Sequence, residues 1–117
     1  MGDFEDVLPG HLKVNAVPCG RELVLPYTSA LEAIRIATER TIAVLGVEAL
    51  EVNDEGLVTV DMADASRYIP YTGNWGKYVS KMNAEAERWI RGHRLDENHG
   101  YILASASQRE FGSLKSP

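Results

Sequence analysis

Cysteine occurs once in the 117 residues, at Cys19. That excludes an intramolecular disulfide and a cysteine metal cluster. The three histidines, His11, His93 and His99, form no HxH or HExxH pattern, so a metal site would need assembly from distant residues. The glycines lie singly, which leaves no phosphate-cradling loop. No run approaches the ~18 apolar residues of a membrane-spanning helix. The opening MGDFEDVLPG is acidic and has no apolar core of a secretory signal, so a cytoplasmic location is expected. Positive charge is also short: 12 Lys and Arg stand against 17 Asp and Glu, a net charge of −5. Phosphates need a basic surface, so nucleic acid and anionic membrane are disfavoured as direct partners. A basic protein is compatible.

The shortage of positive charge is sharpest between Thr41 and Ser66, which contains no Lys or Arg. It contains six acids: Glu48, Glu51, Asp54, Glu55, Asp61 and Asp64. The same stretch reads as two strands and a turn. Ile42 to Leu45 is a short apolar run that suits a strand covered on both faces. Val47 to Val52 then alternates, Asn53-Asp54-Glu55-Gly56 is a turn signal, and Leu57 to Met62 resumes strand chemistry. Val58, Val60 and Met62 share one face and are expected in the core. The hairpin is expected in the middle of a sheet, with core on one side and negative charge on the other. A solvated hairpin tip would carry the same acids.

The length corresponds to one domain. Glu22 to Leu25 is a further strand candidate, and Leu12 to Val17 alternates weakly. Ser29 with Glu32 has capping-box spacing, and Ala30, Ala33, Ile34 and Ala37 give a helical face. A second helix opens at Asn74. Its apolar stripe runs Trp75, Tyr78, Val79, Met82, Ala86, Trp89, Ile90 and His93, with Trp89 expected to be largely buried. Tyr101 to Ser107 alternates as a strand. Residues 1–10 and 108–117 show no regular pattern and are expected to be loosely ordered. The expected fold is a single α+β domain: a mixed or antiparallel four- to five-stranded sheet with two helices packed on it.

Catalytic chemistry is hard to assemble from these residues. Glu48 and Asp61 face each other across the simplest hairpin, and paired carboxylates do acid–base work, but exposed acids on a hairpin are usually solvated. Cys19 with His11 is a conceivable thiolate pair, and His93 with His99 flank one loop. A lone cysteine is more often a small hydrophobe, and such histidines are more often a helix cap and a turn residue. The expectation is a protein without catalytic residues, metal or cofactor. Two alternatives stay open. One is a small enzyme or ligand-binding domain with a cleft near Tyr68, Tyr71, Trp75 and His99. The other is a subunit that self-associates through the Trp75–Trp89 face.

Short motifs add a resemblance. Leu8-Pro9-x-His11-Leu12, Leu25-Pro26-Tyr27, Ser29-Ala30-Leu31-Glu32-Ala33 and Ile42-Ala43-Val44-Leu45-Gly46-x-Glu48 resemble the small α+β immunity proteins of bacterial polymorphic toxin systems. The likeness spans mainly residues 8–52. That family carries a Gly-Gly-Asp motif after a similar strand; here the place reads Gly46-Val47-Glu48, with the middle glycine lost and the acid longer. The resemblance implies a non-enzymatic protein that binds and neutralises a cognate toxin, and many such toxins are basic. The acids Glu48, Glu51, Asp54, Glu55, Asp61 and Asp64 are then the candidate partner-binding residues.

Overall fold

The computed structural model describes residues 4, 8–19, 22–53, 56–67, 69–93 and 99–115. In chain order these form α1 (Gly10–Val14), β1 (Val17–Cys19), β2 (Glu22–Val24), α2 (Tyr27–Glu39), β3 (Ala43–Asn53) and β4 (Gly56–Asp64). A 3-10 turn (Ala65–Arg67), α3 (Trp75–Gly92), β5 (His99–Ala106) and α4 (Gln108–Lys115) follow. The fold is α+β, with a radius of gyration of 13.8 Å, close to the ~13 Å of a compact chain near this size. The five strands do not make the single four- to five-stranded sheet expected. They form an antiparallel pair, β1–β2, and a three-stranded antiparallel sheet in the order β4-β3-β5. One antiparallel bridge joins the two: Leu25 and Tyr101 exchange both backbone hydrogen bonds at 2.8 Å.

The sequence places the whole hairpin in the middle of the sheet; β3 is the middle strand, but β4 lies at the edge. Helices α2 and α3 pack on one face of the sheet. Their face carries Ala33, Ile34, Ala37, Val47, Ala49, Ala86, Ile90 and Tyr101 in one core cluster, which Leu12, Leu8 and Phe4 close from the N-terminal side. A second cluster, Trp75, Tyr78, Val79, Met82, Ala106 and Phe111, fills the space between the start of α3, the end of β5 and α4. On the opposite face a small group is buried among the described residues: Val24, Leu50 and Ile102, with Leu57 against it. The β1–β2 hairpin lies over this face so tightly that a Cβ on Gly100 would stand 2.4 Å from Val24 Cγ1.

Several local expectations change. Residues 12–14 lie in a helix, and a strand begins only at Val17: Pro9 caps α1 with its fixed φ of −60°, and the helix buries Leu12 while leaving Val14 exposed. The Ser29–Glu32 capping box is absent, because α2 starts earlier, after Pro26, and Ser29 lies buried inside it. Glu32 instead meets His11 of α1, with Nε2 2.6 Å from Oε2. The C-terminal segment forms α4, opened by the capping box that Ser107 and Glu110 make. The Glu110 amide donates to Ser107 Oγ at 3.1 Å, and the Ser107 amide donates to Glu110 Oε1 at 2.9 Å. Phe111 on α4 is buried. Trp89 is half-buried, stacked on the His93 ring with centroids 4.0 Å apart.

Two junctions hold α2, β3 and α3 in place. The end of α2 is a Schellman motif: the Ile42 amide donates to the Ala37 carbonyl at 2.8 Å, and the Thr41 amide to the Thr38 carbonyl at 3.2 Å. The left-handed position falls on Thr41, at φ 54°, where glycine is usual. Trp75 Nε1 donates to the Thr41 carbonyl at 2.6 Å and so ties the start of α3 to this corner. The second junction is Asn83, a polar residue within the stripe of α3 and only 2% exposed. Its Oδ1 accepts from the Val44 amide at 2.7 Å. Its Nδ2 donates to the Ile42 carbonyl at 3.0 Å and to Thr38 Oγ1 at 2.9 Å. One side chain therefore links α3 to β3 and to the last turn of α2.

Replacing Asn83 by alanine would strand the buried Val44 amide and Ile42 carbonyl, each at roughly 1–3 kcal/mol. Asn83→Ala is therefore expected to destabilise the fold by about 3 kcal/mol, read as a lower urea midpoint with an unchanged slope. A loss below ~1 kcal/mol would show that the bridge contributes little.

Candidate functional site

The acidic hairpin is built from β3 and β4. A turn of two residues between Asn53 and Gly56 would, without irregularity, place Glu48 directly opposite Asp61. The structure does not. Pairing runs in that simple register from Asn53–Gly56 to Leu50–Thr59, then slips by one residue, so that Ala49 opposes Asp61 and Glu48 opposes Met62. Val60 is the extra residue of a β-bulge. Because side chains alternate faces along a strand, one inserted residue transfers everything beyond it to the other face.

The bulge separates the acids. Glu48 and Asp64, paired with Met62 and Gly46, lie on the open face of the sheet. Asp61 and Glu51 lie on the helical face, where Asp61 Oδ2 is 3.1 Å from His93 Nε2 and Glu51 Oε2 is 4.0 Å from His99 Nε2. The Glu48–Asp61 pair expected from the sequence is thus not formed. Asp54 and Glu55 lie outside the described residues. The bulge also moves Met62 away from the helices, leaving it 65% exposed, and Val58 and Val60 stay nearly half exposed on the edge strand. The core face expected for Val58, Val60 and Met62 is therefore corrected: the core is supplied by β3 and β5, and β4 contributes little to it.

The open face has a shape as well as a charge. A groove of about 320 Å³ is floored by Gly46, Ile102 and Ala104 and bordered by Met62, with Glu48 and Asp64 on the hairpin side and Glu22 of β2 on the other. Among the described residues its lining contains no Lys, Arg or His. The floor is low because Gly46 and Ala104 oppose each other on β3 and β5 with almost no side chain between them. Gly46 is also sterically required: a Cβ there would meet the Ala63 carbonyl oxygen at 2.8 Å. Glu48 is held by Thr59, whose hydroxyl donates to Oε2. Asp64 accepts from the Ser66 amide at 3.1 Å and the Ser66 hydroxyl, which starts the 3-10 turn and sets the carboxylate at the groove end.

The other sequence candidates are not gathered into one site. Tyr71, Trp75, Tyr78 and Phe111 pack edge-on and tilted, with Tyr71–Phe111 centroids 5.3 Å apart and Trp75–Tyr78 5.7 Å apart. This packing is structural, and a groove of about 260 Å³ runs beside Tyr71, Tyr78 and Leu45. His99 stands at the opposite end of β5 from Ala106, which pairs with Ala43 near this cluster. Seven residues of strand span ~23 Å, so a cleft joining His99 to Trp75 does not exist. Tyr68 lies outside the described residues. Trp75 is buried, which removes it from any self-association face. His93 and His99 each face an acid on the hairpin, and His11 faces Glu32. Among the described residues no group of three or more His, Cys, Asp or Glu is placed to hold a metal ion, and no helix is long and apolar enough to cross a membrane. The side chain of Cys19 is likewise outside what is described.

No family model, curated protein or solved structure matches this chain.

One ionisable group in the aromatic cluster is shifted. Burial first, and the nearby Asp64 carboxylate second, push the Tyr78 phenol above the ordinary tyrosine range. A raised folded-state value favours the neutral phenol in the fold. Its stability contribution is complete below the unfolded value near 10 and is lost as pH rises through the folded value. Tyr78→Phe keeps the ring and removes the titration. Its urea midpoint is expected to fall less steeply than that of the unsubstituted protein above about pH 10; parallel curves would show that Tyr78 is not the group responsible.

Proposed function

We propose that the chain is a non-enzymatic binding protein that captures a basic protein partner on the open face of its β4-β3-β5 sheet, in the manner of a toxin-neutralising immunity protein acting in the cytoplasm. The supporting observation is the coincidence of an open, concave sheet face with Glu22, Glu48 and Asp64 around it and no cation among the described residues of its lining. Asp54 and Glu55, between β3 and β4 in the sequence, add long-range attraction. Such fields act over ~8 Å at physiological salt and mainly raise the rate of encounter. Glu48 and Asp64 act at close range, where a desolvated pair is worth more than an exposed one. Glu51 and Asp61 face the other way and already meet His99 and His93, so they contribute only to the general field. The resemblance over residues 8–52 supplies the toxin-neutralising role, and the geometry supports where binding occurs.

The test is binding to the product of the adjacent reading frame, with two charge-neutralised variants. Glu48→Gln with Asp64→Asn is expected to weaken binding by roughly 2–5 kcal/mol. Glu51→Gln with Asp61→Asn is expected to cost about 1 kcal/mol or less. Association of the unsubstituted protein should slow as salt rises. Equal affinities for all three proteins, with the fold intact, would remove the acidic face as the binding surface.

A further inference from the structure

We propose that the Gly46 groove receives one arginine side chain from an exposed segment of the partner. The inference rests on the reading of the open face as a partner-binding surface and specifies what that surface recognises. Its volume of about 320 Å³ lies at the low end of the ~300–1,000 Å³ of ligand pockets, so it suits a single long side chain better than a cofactor. Its chemistry is divided between apolar and acidic side chains. The cross-strand rows Ile102–Glu48–Met62 and Ala104–Gly46–Asp64 set an acid beside apolar surface in each, and Glu22 joins the lining. A side chain complementary to this has an aliphatic stem and a cationic head.

Arginine fits this division better than lysine. Its guanidinium is weakly hydrated, carries donors in a planar fork, and pairs side-on with carboxylates at interfaces. Glu48 is set for such a contact. The Thr59 hydroxyl bonds to one of its carboxylate oxygens, Oε2, which fixes the carboxylate before any partner arrives and reduces the ordering cost of binding. The occupant is a protein segment and not a free cation, because apolar surface continues past the groove: Met62 is 65% exposed and Val60, on the same edge strand, 45%. A polypeptide crossing the groove covers these residues; a small cation leaves them wet.

The experiment uses amide NMR of the full chain with a capped pentapeptide carrying one central arginine between leucines. The same peptide with citrulline, which keeps the shape without the charge, is the control, and spermidine represents a free polycation. The arginine peptide is expected to shift amides at 45–48, 62–64 and 102–104, with spermidine and the citrulline peptide shifting them little. Ala104→Leu fills the groove without altering charge and should abolish those shifts. Glu48→Gln should weaken binding about tenfold, the effect of losing one hydrogen bond to a charged group. Shifts that persist in Ala104→Leu, that spermidine or citrulline reproduces, or that spread over acids on other faces such as Glu39 and Glu87 would overturn the proposal. If Ala104→Leu does not fold, Glu48→Gln decides alone. With the protein partner, retained binding by Ala104→Leu alongside weakened binding by Glu48→Gln would overturn arginine insertion while leaving the acidic face in place; retained binding by both would overturn the two readings together.

Discussion

The position of the sheet depends on the side chain of Asn83. β3 begins with a bulge at Leu45 on the β5 side, where strand pairing cannot satisfy every backbone group. Asn83 supplies a donor to Ile42 and an acceptor to Val44, the two backbone groups that flank this start. A buried amide with both ends occupied adds little net energy per bond, but losing it exposes the full desolvation cost of its partners. The same amide reaches Thr38, so α2, α3 and β3 share one anchor. The Schellman corner at Thr41 and the Trp75 indole bond complete it. Everything downstream on β3, including the direction in which Glu48 points, inherits the orientation set here.

With one face of β3 committed to the helices, the opposite face is left to a much smaller cover. The β1–β2 hairpin, bridged through Leu25 and Tyr101, places Val24 on Leu50 and Ile102 and goes no further. The remainder, from Gly46 to Met62 and Ala104, stays open. The bulge at Val60 then decides which acids border it. In the simple register Met62 would turn toward the helices and Asp61 would stand beside Glu48. With the bulge, Met62 and Asp64 turn out and Asp61 turns to His93. One inserted residue therefore replaces a Glu48–Asp61 pair by Met62 and Asp64 on the open face and an Asp61–His93 contact on the other, while the Glu51–His99 contact between β3 and β5 is independent of it.

Much of this framework was legible in the sequence, and the exceptions have physical reasons. The two long helices follow from periodicity, because each buries one consistent face, and the β3–β4 hairpin follows from two strand-like runs on either side of a glycine turn signal. Gly56 was readable as the turn glycine and takes φ +123°. The bulge was not readable: no residue type marks Val60, and a register defined by counting back from the turn gives the wrong partner for Glu48. Asn83 carries no signal in the sequence, because apolar spacing along α3 is complete without it, and only the strand start it faces explains a buried amide there. The capping box of α4 was present in the order Ser107-Gln108-Arg109-Glu110, a signal hidden by the lack of a long apolar stripe after it. Ser29 and Glu32 show the converse, the right spacing in the wrong place, because Pro26 starts the helix first. The groove itself combines residues from β2, β3, β4 and β5, and no linear pattern brings those together.

The open sheet face as the recognition surface can be tested directly through its methionine. Met62 is 65% exposed on that face, and Met82 is fully buried between α3 and the aromatic cluster. Methyl NMR of the methionine-labelled chain, titrated with its protein partner, reads the two at once. The account requires the Met62 methyl to shift and to show intermolecular contacts while Met82 keeps its free-state position. A saturated complex in which the Met62 methyl remains unchanged and solvent-exposed would contradict it.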